Sequence, residues 1–154
     1  MDIADNLRTE TVRHAGPLAA VCVEPDTPVR RVLEVLAELG RGAVLIARQG
    51  RLVGIFTERD ALKLMASGGE MDGSIEGLMT RDPVSVEQSD SIGTAIGRMS
   101  ARGYRRLPIL DEAGRPVGLL DAAGVIHWLV QHFPSAVYNL PPVTNPATQE
   151  REGP

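Results

Sequence analysis

"VEPDTPVRRVLEVLAELGRGAVLI", Val23 to Ile46, returns later in the chain as "VEQSDSIGTAIGRMSARGYRRLPI", Val86 to Ile109. Val23 aligns with Val86, Glu24 with Glu87, Val29 with Ile92 and Gly40 with Gly103, at an offset of 63 residues. "GRLVGIF" then matches "GRPVGLL": Gly50, Val53 and Gly54 align with Gly114, Val117 and Gly118, at an offset of 64. The one-residue step is a single insertion between the two blocks. Similarity sustained in register over a whole structural unit marks an internal duplication.

Each copy carries the same pattern of elements. A short β segment opens it ("AAVCV", "DPVSV"). A helix follows, with Val29, Val32, Leu33, Leu36 and Leu39 at helical spacing in the first copy and Ile92, Ala95, Ile96 and Met99 in the second. Asp26-Thr27-Pro28 and Asp90-Ser91 are helix-start signals, and Gly40 and Gly103 fall where a helix end needs a left-handed residue. Two short strands come next, turned at "RQGR" and "DEAGR". A second helix closes each unit, "ERDALKLMA" and "AAGVIHWLV".

The pattern predicts an α/β (α+β) fold: two β-α-β-β-α repeats packed about an internal pseudo-two-fold axis. The expected organisation is an N-terminal arm (1–16), repeat 1 (17–70), a Gly-rich linker (71–77), repeat 2 (78–133) and a Pro-rich tail (134–154). Prolines 134, 141, 142 and 146 argue against regular structure in the tail, whose first part is expected to dock through Val137, Tyr138 and Leu140. A unit of about 55 residues buries too little surface to stand comfortably alone. Two units packed together remove that difficulty and create clefts between them.

Composition narrows the function classes. The chain has 154 residues, 43% of them hydrophobic but only 3% aromatic, so its core is aliphatic. A formal net charge of −4 argues against general nucleic-acid binding. Apolar runs such as "AVLIA" are too short to span a membrane, and "MDIADNLRTE" has no signal-peptide pattern. Cys22 is the single cysteine, which excludes an internal disulfide. A cytoplasmic protein is expected.

Three segments resemble the CBS (cystathionine β-synthase) domain family: "GLMTRDPVSV" from Gly77, "GYRRLPIL" from Gly103 and "GIFTERD" from Gly54. On a repeated unit and in this order they resemble a tandem CBS pair, or Bateman module, over roughly residues 17 to 133. The resemblance implies a regulatory module that binds an adenosine ligand between its repeats, commonly as a homodimer.

"TERD", Thr57 to Asp60, sits at a strand-to-helix junction. By itself it is a capping box with Asp in place of Glu. At the aligned junction the second copy has Asp121, Ala122, Ala123 and Gly124. Asp121 can cap there, so the fold does not require the acid at the Asp60 position. A carboxylate can also accept both hydroxyls of a ribose diol. The resemblance gives Thr57 and Asp60 that role. It sets Arg105 and Arg106 opposite them as phosphate ligands, suited by their forked donors. It gives the base a slot at Pro83, Val84 and Ser85. Without the resemblance, Arg105 and Arg106 are ordinary surface charges and 83–85 an ordinary strand. Arg41 is near but one position out of register. The other cleft, with Asp121 and Gly124 and no matching arginines, is expected to be incompetent.

His14, Cys22, His127 and His132 match no zinc spacing, and no Gly-rich phosphate loop or nucleophile elbow is present. No catalytic constellation emerges, no metal is expected and no cofactor is required. The resemblance to a CBS pair implies a sensor for AMP, ADP, ATP or another adenosyl compound such as S-adenosylmethionine. It would act as a homodimer and signal through an effector protein. A ligand-free dimerisation or docking module with a vestigial site is the alternative.

Overall fold

The computed structural model describes residues 3–40 and 42–133. The tail from 134 onward and Arg41 lie outside the described residues. In chain order the elements are α1 (Ile3–Thr9), β1 (Cys22–Val23), α2 (Val29–Leu39), β2 (Ala43–Arg48), β3 (Arg51–Thr57) and α3 (Glu58–Ser67). After the connector come β4 (Thr80–Arg81), β5 (Val86–Glu87), α4 (Ile92–Arg102), β6 (Arg106–Leu110), β7 (Pro116–Asp121) and α5 (Ala122–His132). The mixed α/β architecture with two small sheets agrees with the duplication read from the sequence.

One sheet has the order β1-β2-β3-β4 and the other β5-β6-β7. In both, the opening strand runs parallel to the middle one and a hairpin supplies the antiparallel neighbour. The registers correspond across the repeat: Ala43 pairs with Thr57, and Arg106 with Asp121. Helices α2 and α4 end on Gly40 and Gly103, both left-handed.

The opening strands are shorter than the sequence suggests. Only Cys22–Val23 and Val86–Glu87 pair, because the residues before them cross from one sheet to the other. Thr80 and Arg81 first pair with Ile55 and Gly54, forming an unforeseen fourth strand on the first sheet. The chain then crosses, and Val86 enters the second sheet beside Ile109. The first repeat mirrors this, since Leu18 bridges Leu119 on the second sheet before Cys22 enters the first. Likewise Gly73 O accepts the Val29 N–H at 2.9 Å, and Glu10 O accepts the Ile92 N–H at 2.8 Å.

This reciprocal exchange sets the core. The first cluster joins Val29, Val32, Val44, Ile46 and Phe56 to Ile75 and Met79 from beyond α3. The second joins Ile92, Leu107, Leu120 and Trp128 to Val12 and Ala15 from before β1. Fully burying each such side chain contributes about 1.5–3 kcal/mol, so each repeat takes part of its stability from the other's leading segment. Between the sheets, Ala43, Leu45, Ile55 and Leu119 form a third buried cluster.

The homodimer expectation draws on the apolar residues Val32, Leu33, Leu36, Ile96 and Met99, which exceed what one small sheet must cover. Val32, Leu36 and Met99 are instead buried in the chain's own cores, and Leu33 and Ile96 are partly buried. A helix face that looks surplus to one small sheet is used up by the exchanged segments. The large apolar residues left exposed include Leu62 and Met65 on α3 and Ile126 on α5.

Candidate functional site

Thr57 ends β3 in an extended conformation and caps α3. Its Oγ1 accepts the Asp60 N–H at 3.2 Å. Asp60 Oδ2 in return accepts the Thr57 N–H at 2.9 Å and the Thr57 hydroxyl at 3.0 Å. The four-residue junction is therefore a reciprocal capping box. Asp60 Oδ1 accepts no hydrogen bond from a described residue. The carboxylate has one oxygen engaged with the helix start and one open to another donor.

At the aligned junction Asp121 caps α5, its Oδ1 accepting the Ala123 N–H at 2.8 Å. A Cβ added to Gly124 would stand 3.7 and 3.8 Å from the carbonyl oxygens of Ala15 and Gly16. Those are ordinary van der Waals distances, so the backbone leaves room for a side chain there.

The two junctions meet at one end of the sheet interface. Gly42 O accepts the Glu58 N–H at 2.9 Å, and Arg105 O accepts the Ala122 N–H at 2.8 Å. Arg106 begins β6, and its guanidinium lies over Gly42 of the first repeat, where a Cβ would collide with it. Gly42 also has φ +76°, a conformation that favours glycine. A continuous chain of contacts thus runs from the α3 start through Gly42 and Arg106 to Asp121 at the α5 start. The positive ends of two helix dipoles are within it.

Arg105 and Arg106 stand in different surroundings. Arg105 is exposed and precedes the strand, whereas Arg106 is half-buried. Arg106 is also not confined to the Thr57–Asp60 side. Its Nε lies 3.4 Å from Asp121 Oδ2, an ion pair across the β6–β7 ladder. The first-repeat residues aligned with the two arginines are Gly42 and Ala43, so the arginine beside Asp121 comes from its own repeat. Residues directly opposite in antiparallel strands are close enough for such a pair, so the cross-strand register decides it.

Pro83, Val84 and Ser85 lie in the crossing between the sheets, before β5, and are not a strand. β5 begins only at Val86, which pairs with Ile109. Val84 packs against the second core, and the Ser85 carbonyl accepts a hydrogen bond from Arg98 at 2.7 Å. Their peptide groups and side chains are thus partly committed to the fold.

Two surface hollows flank these segments. One of about 290 Å³ is bordered by Ser85, Asp90 and Arg98; the other, about 440 Å³ and apolar, lies between α2 and α3 and is bordered by Leu33, Leu62 and Met65. Neither includes Thr57, Asp60 or Arg106. Among the described residues no group of three His, Cys, Asp or Glu is placed to hold a metal ion. No described helix is long and apolar enough to cross a membrane. Gly42 was not singled out as a site residue by the sequence. The signal for it was its alignment with Arg105, a glycine facing an arginine across the duplication.

Known proteins share this architecture. The CBS domain family matches residues 18–67 and 75–131. The protein MJ1404 of Methanocaldococcus jannaschii is 33% identical over 109 residues, which cover 70% of this chain and 26% of that protein. Across MJ1404 and two further relatives, this chain spans between about a fifth and three fifths of the curated protein's length. Among solved structures, the CBS domain protein NE2398 is 28% identical with a TM-score of 0.68, covering 77% of this chain and 95% of that one. CBSX2 in complex with AMP is 25% identical with a TM-score of 0.67, covering 79% and 97%. With two matched segments, one on each copy of the duplicated β-α-β-β-α unit, this chain belongs to the CBS domain family.

Proposed function

We propose that this chain is a regulatory module that binds an adenosine-containing ligand where its two repeats meet. AMP is the first candidate, with ADP, ATP and other adenosyl compounds in the same class. Asp60 receives ribose hydroxyls on its open oxygen, beside Thr57. Arg106, with Arg105 at the rim, meets the phosphate, and the crossing at Pro83, Val84 and Ser85 borders the base. The observation that carries this is the reach of Arg106 from the second repeat onto Gly42, one hydrogen bond from the α3 start. It puts a guanidinium of one repeat over the residue whose carbonyl accepts the first N–H of the other repeat's α3. The AMP complex of CBSX2 lends support from a relative of the same fold.

The module acts as a homodimer in this proposal, through the exposed Leu62, Met65 and Ile126. Ligand binding then biases the geometry that an effector protein reads. The alternative is a docking module without a ligand. It is favoured by the capping box, which accounts for Thr57 and one oxygen of Asp60 without any ligand.

A thermal-shift titration with AMP, ADP, ATP, S-adenosylmethionine and adenosine separates the two. A ligand at 100 times its dissociation constant stabilises the fold by about 2.7 kcal/mol. For a chain of this length that is a rise of roughly 10 °C in Tm. No shift with any adenosyl compound at millimolar concentration would leave the docking module.

A further inference from the structure

The Arg106 guanidinium is held in an unusual state for an arginine. Its Nε is shielded from solvent and makes no hydrogen bond among the described residues. The only carboxylate in ion-pair range among them is that of Asp121, 3.4 Å away. At that separation the charges attract, but the bond is long and unaligned. Both side chains are about one quarter exposed, at 26% and 25%, so solvent and salt screen the pair only in part. Asp121 Oδ1 is occupied by the α5 cap, which leaves Oδ2 as the counter-charge.

Capping does not require that charge. The aligned residue in the first repeat is Thr57, whose neutral hydroxyl caps α3. Serine and asparagine cap helices about as well as aspartate. Beside the α5 helix start, the negative charge at position 121 also acts on Arg106.

We propose that Asp121 is a built-in competitor for the phosphate-binding arginine and sets the charge of the ligand that the site accepts. This rests on the nucleotide-binding function proposed above. A phosphate that approaches Arg106 must share it with a carboxylate already beside it. The repulsion is absent for adenosine, moderate for a monophosphate and greatest for a triphosphate. The site accordingly selects adenosine monophosphate, or an uncharged or zwitterionic adenosyl compound, against ATP.

The test is calorimetry with adenosine, AMP and ATP at low salt on the wild type and on Asp121→Asn, which keeps a capping oxygen and removes the charge. Asp121→Ser replaces it if the thermal melt shows the first variant to be unfolded. The wild type should bind ATP no more tightly than AMP. The variant should raise the ATP-to-adenosine affinity ratio by about tenfold, a change of about 1.4 kcal/mol, and the AMP-to-adenosine ratio by less. Adding Arg106→Gln should abolish the gain. An unchanged ratio in the folded single variant, or a gain that survives without Arg106, overturns the competitor role and leaves nucleotide binding intact. Failure of all three ligands to bind either protein overturns both.

Discussion

Asp60→Ala separates the two duties of one carboxylate. In the fold, the substitution removes the bonds that Oδ2 accepts from the Thr57 N–H at 2.9 Å and the Thr57 hydroxyl at 3.0 Å. The cap in the other direction survives, because Thr57 Oγ1 accepts the main-chain N–H of residue 60. The hydroxyl can turn to water, so the main loss is one charge-assisted bond to a part-buried N–H. That is worth about 1–2 kcal/mol of stability, or roughly 4–7 °C in Tm. For the ligand, only Oδ1 is open, so the ribose contributes about 1.5–3 kcal/mol through it, less than a carboxylate with both oxygens free would provide. The expected loss of affinity is about 10- to 150-fold. Calorimetry would compare AMP with its 2′,3′-dideoxy analogue on both proteins, alongside urea unfolding. The wild type should prefer the ribose form, and the variant should bind both forms weakly and alike. A folded, destabilised variant that keeps the ribose preference at wild-type affinity would refute the binding duty and leave only the capping box. No loss of stability would refute the energetic account of the box.

Gly42→Ala should destabilise the protein by about 1–2 kcal/mol through its left-handed backbone alone, and should also displace Arg106. Urea midpoints, with AMP titration of the folded variant, check both effects. Phe56, 1% exposed at the centre of the first core, should cost about 3–5 kcal/mol when changed to Ala, measured by chemical denaturation. Asp111 has its pKa held below the ordinary 3.8, first by the Arg115 N–H, which its carboxylate accepts at 2.9 Å. A carboxylate lowered in the fold stabilises above its unfolded pKa and loses that contribution as pH falls through the folded value. Asp111→Asn should therefore be less stable than the wild type at neutral pH. That difference should shrink as pH falls below about 3.8, as read from acid-unfolding curves. Leu62→Glu with Met65→Glu should turn the proposed homodimer into a monomer, since both side chains are at least half exposed. Sedimentation that finds the wild type already monomeric at tens of micromolar would remove that interface.

Much of this protein was legible because a duplication repeats local information. The spacing of Val29, Val32 and Leu36, the caps at Ser91, Thr57 and Asp121, and the glycines at 40 and 103 act within a few residues of chain. Helices, hairpins and the capping box followed from them, and so did the equivalence of Ala43 with Arg106. The crossing was not legible. Thr80 and Arg81 join a sheet built from residues 22 to 57, and Val12 fills a core built mainly from residues 86 to 128. No local pattern records such partners, because the apolar side chain reads the same whichever core buries it. The state of Arg106 was equally hidden. Local pattern alone puts an arginine at the start of β6 and an acid at the end of β7. Packing of the two repeats sets that arginine over Gly42 and leaves it sharing its charge with Asp121. Coulombic partnership depends on distance in space, and that distance is set by strand register and sheet packing.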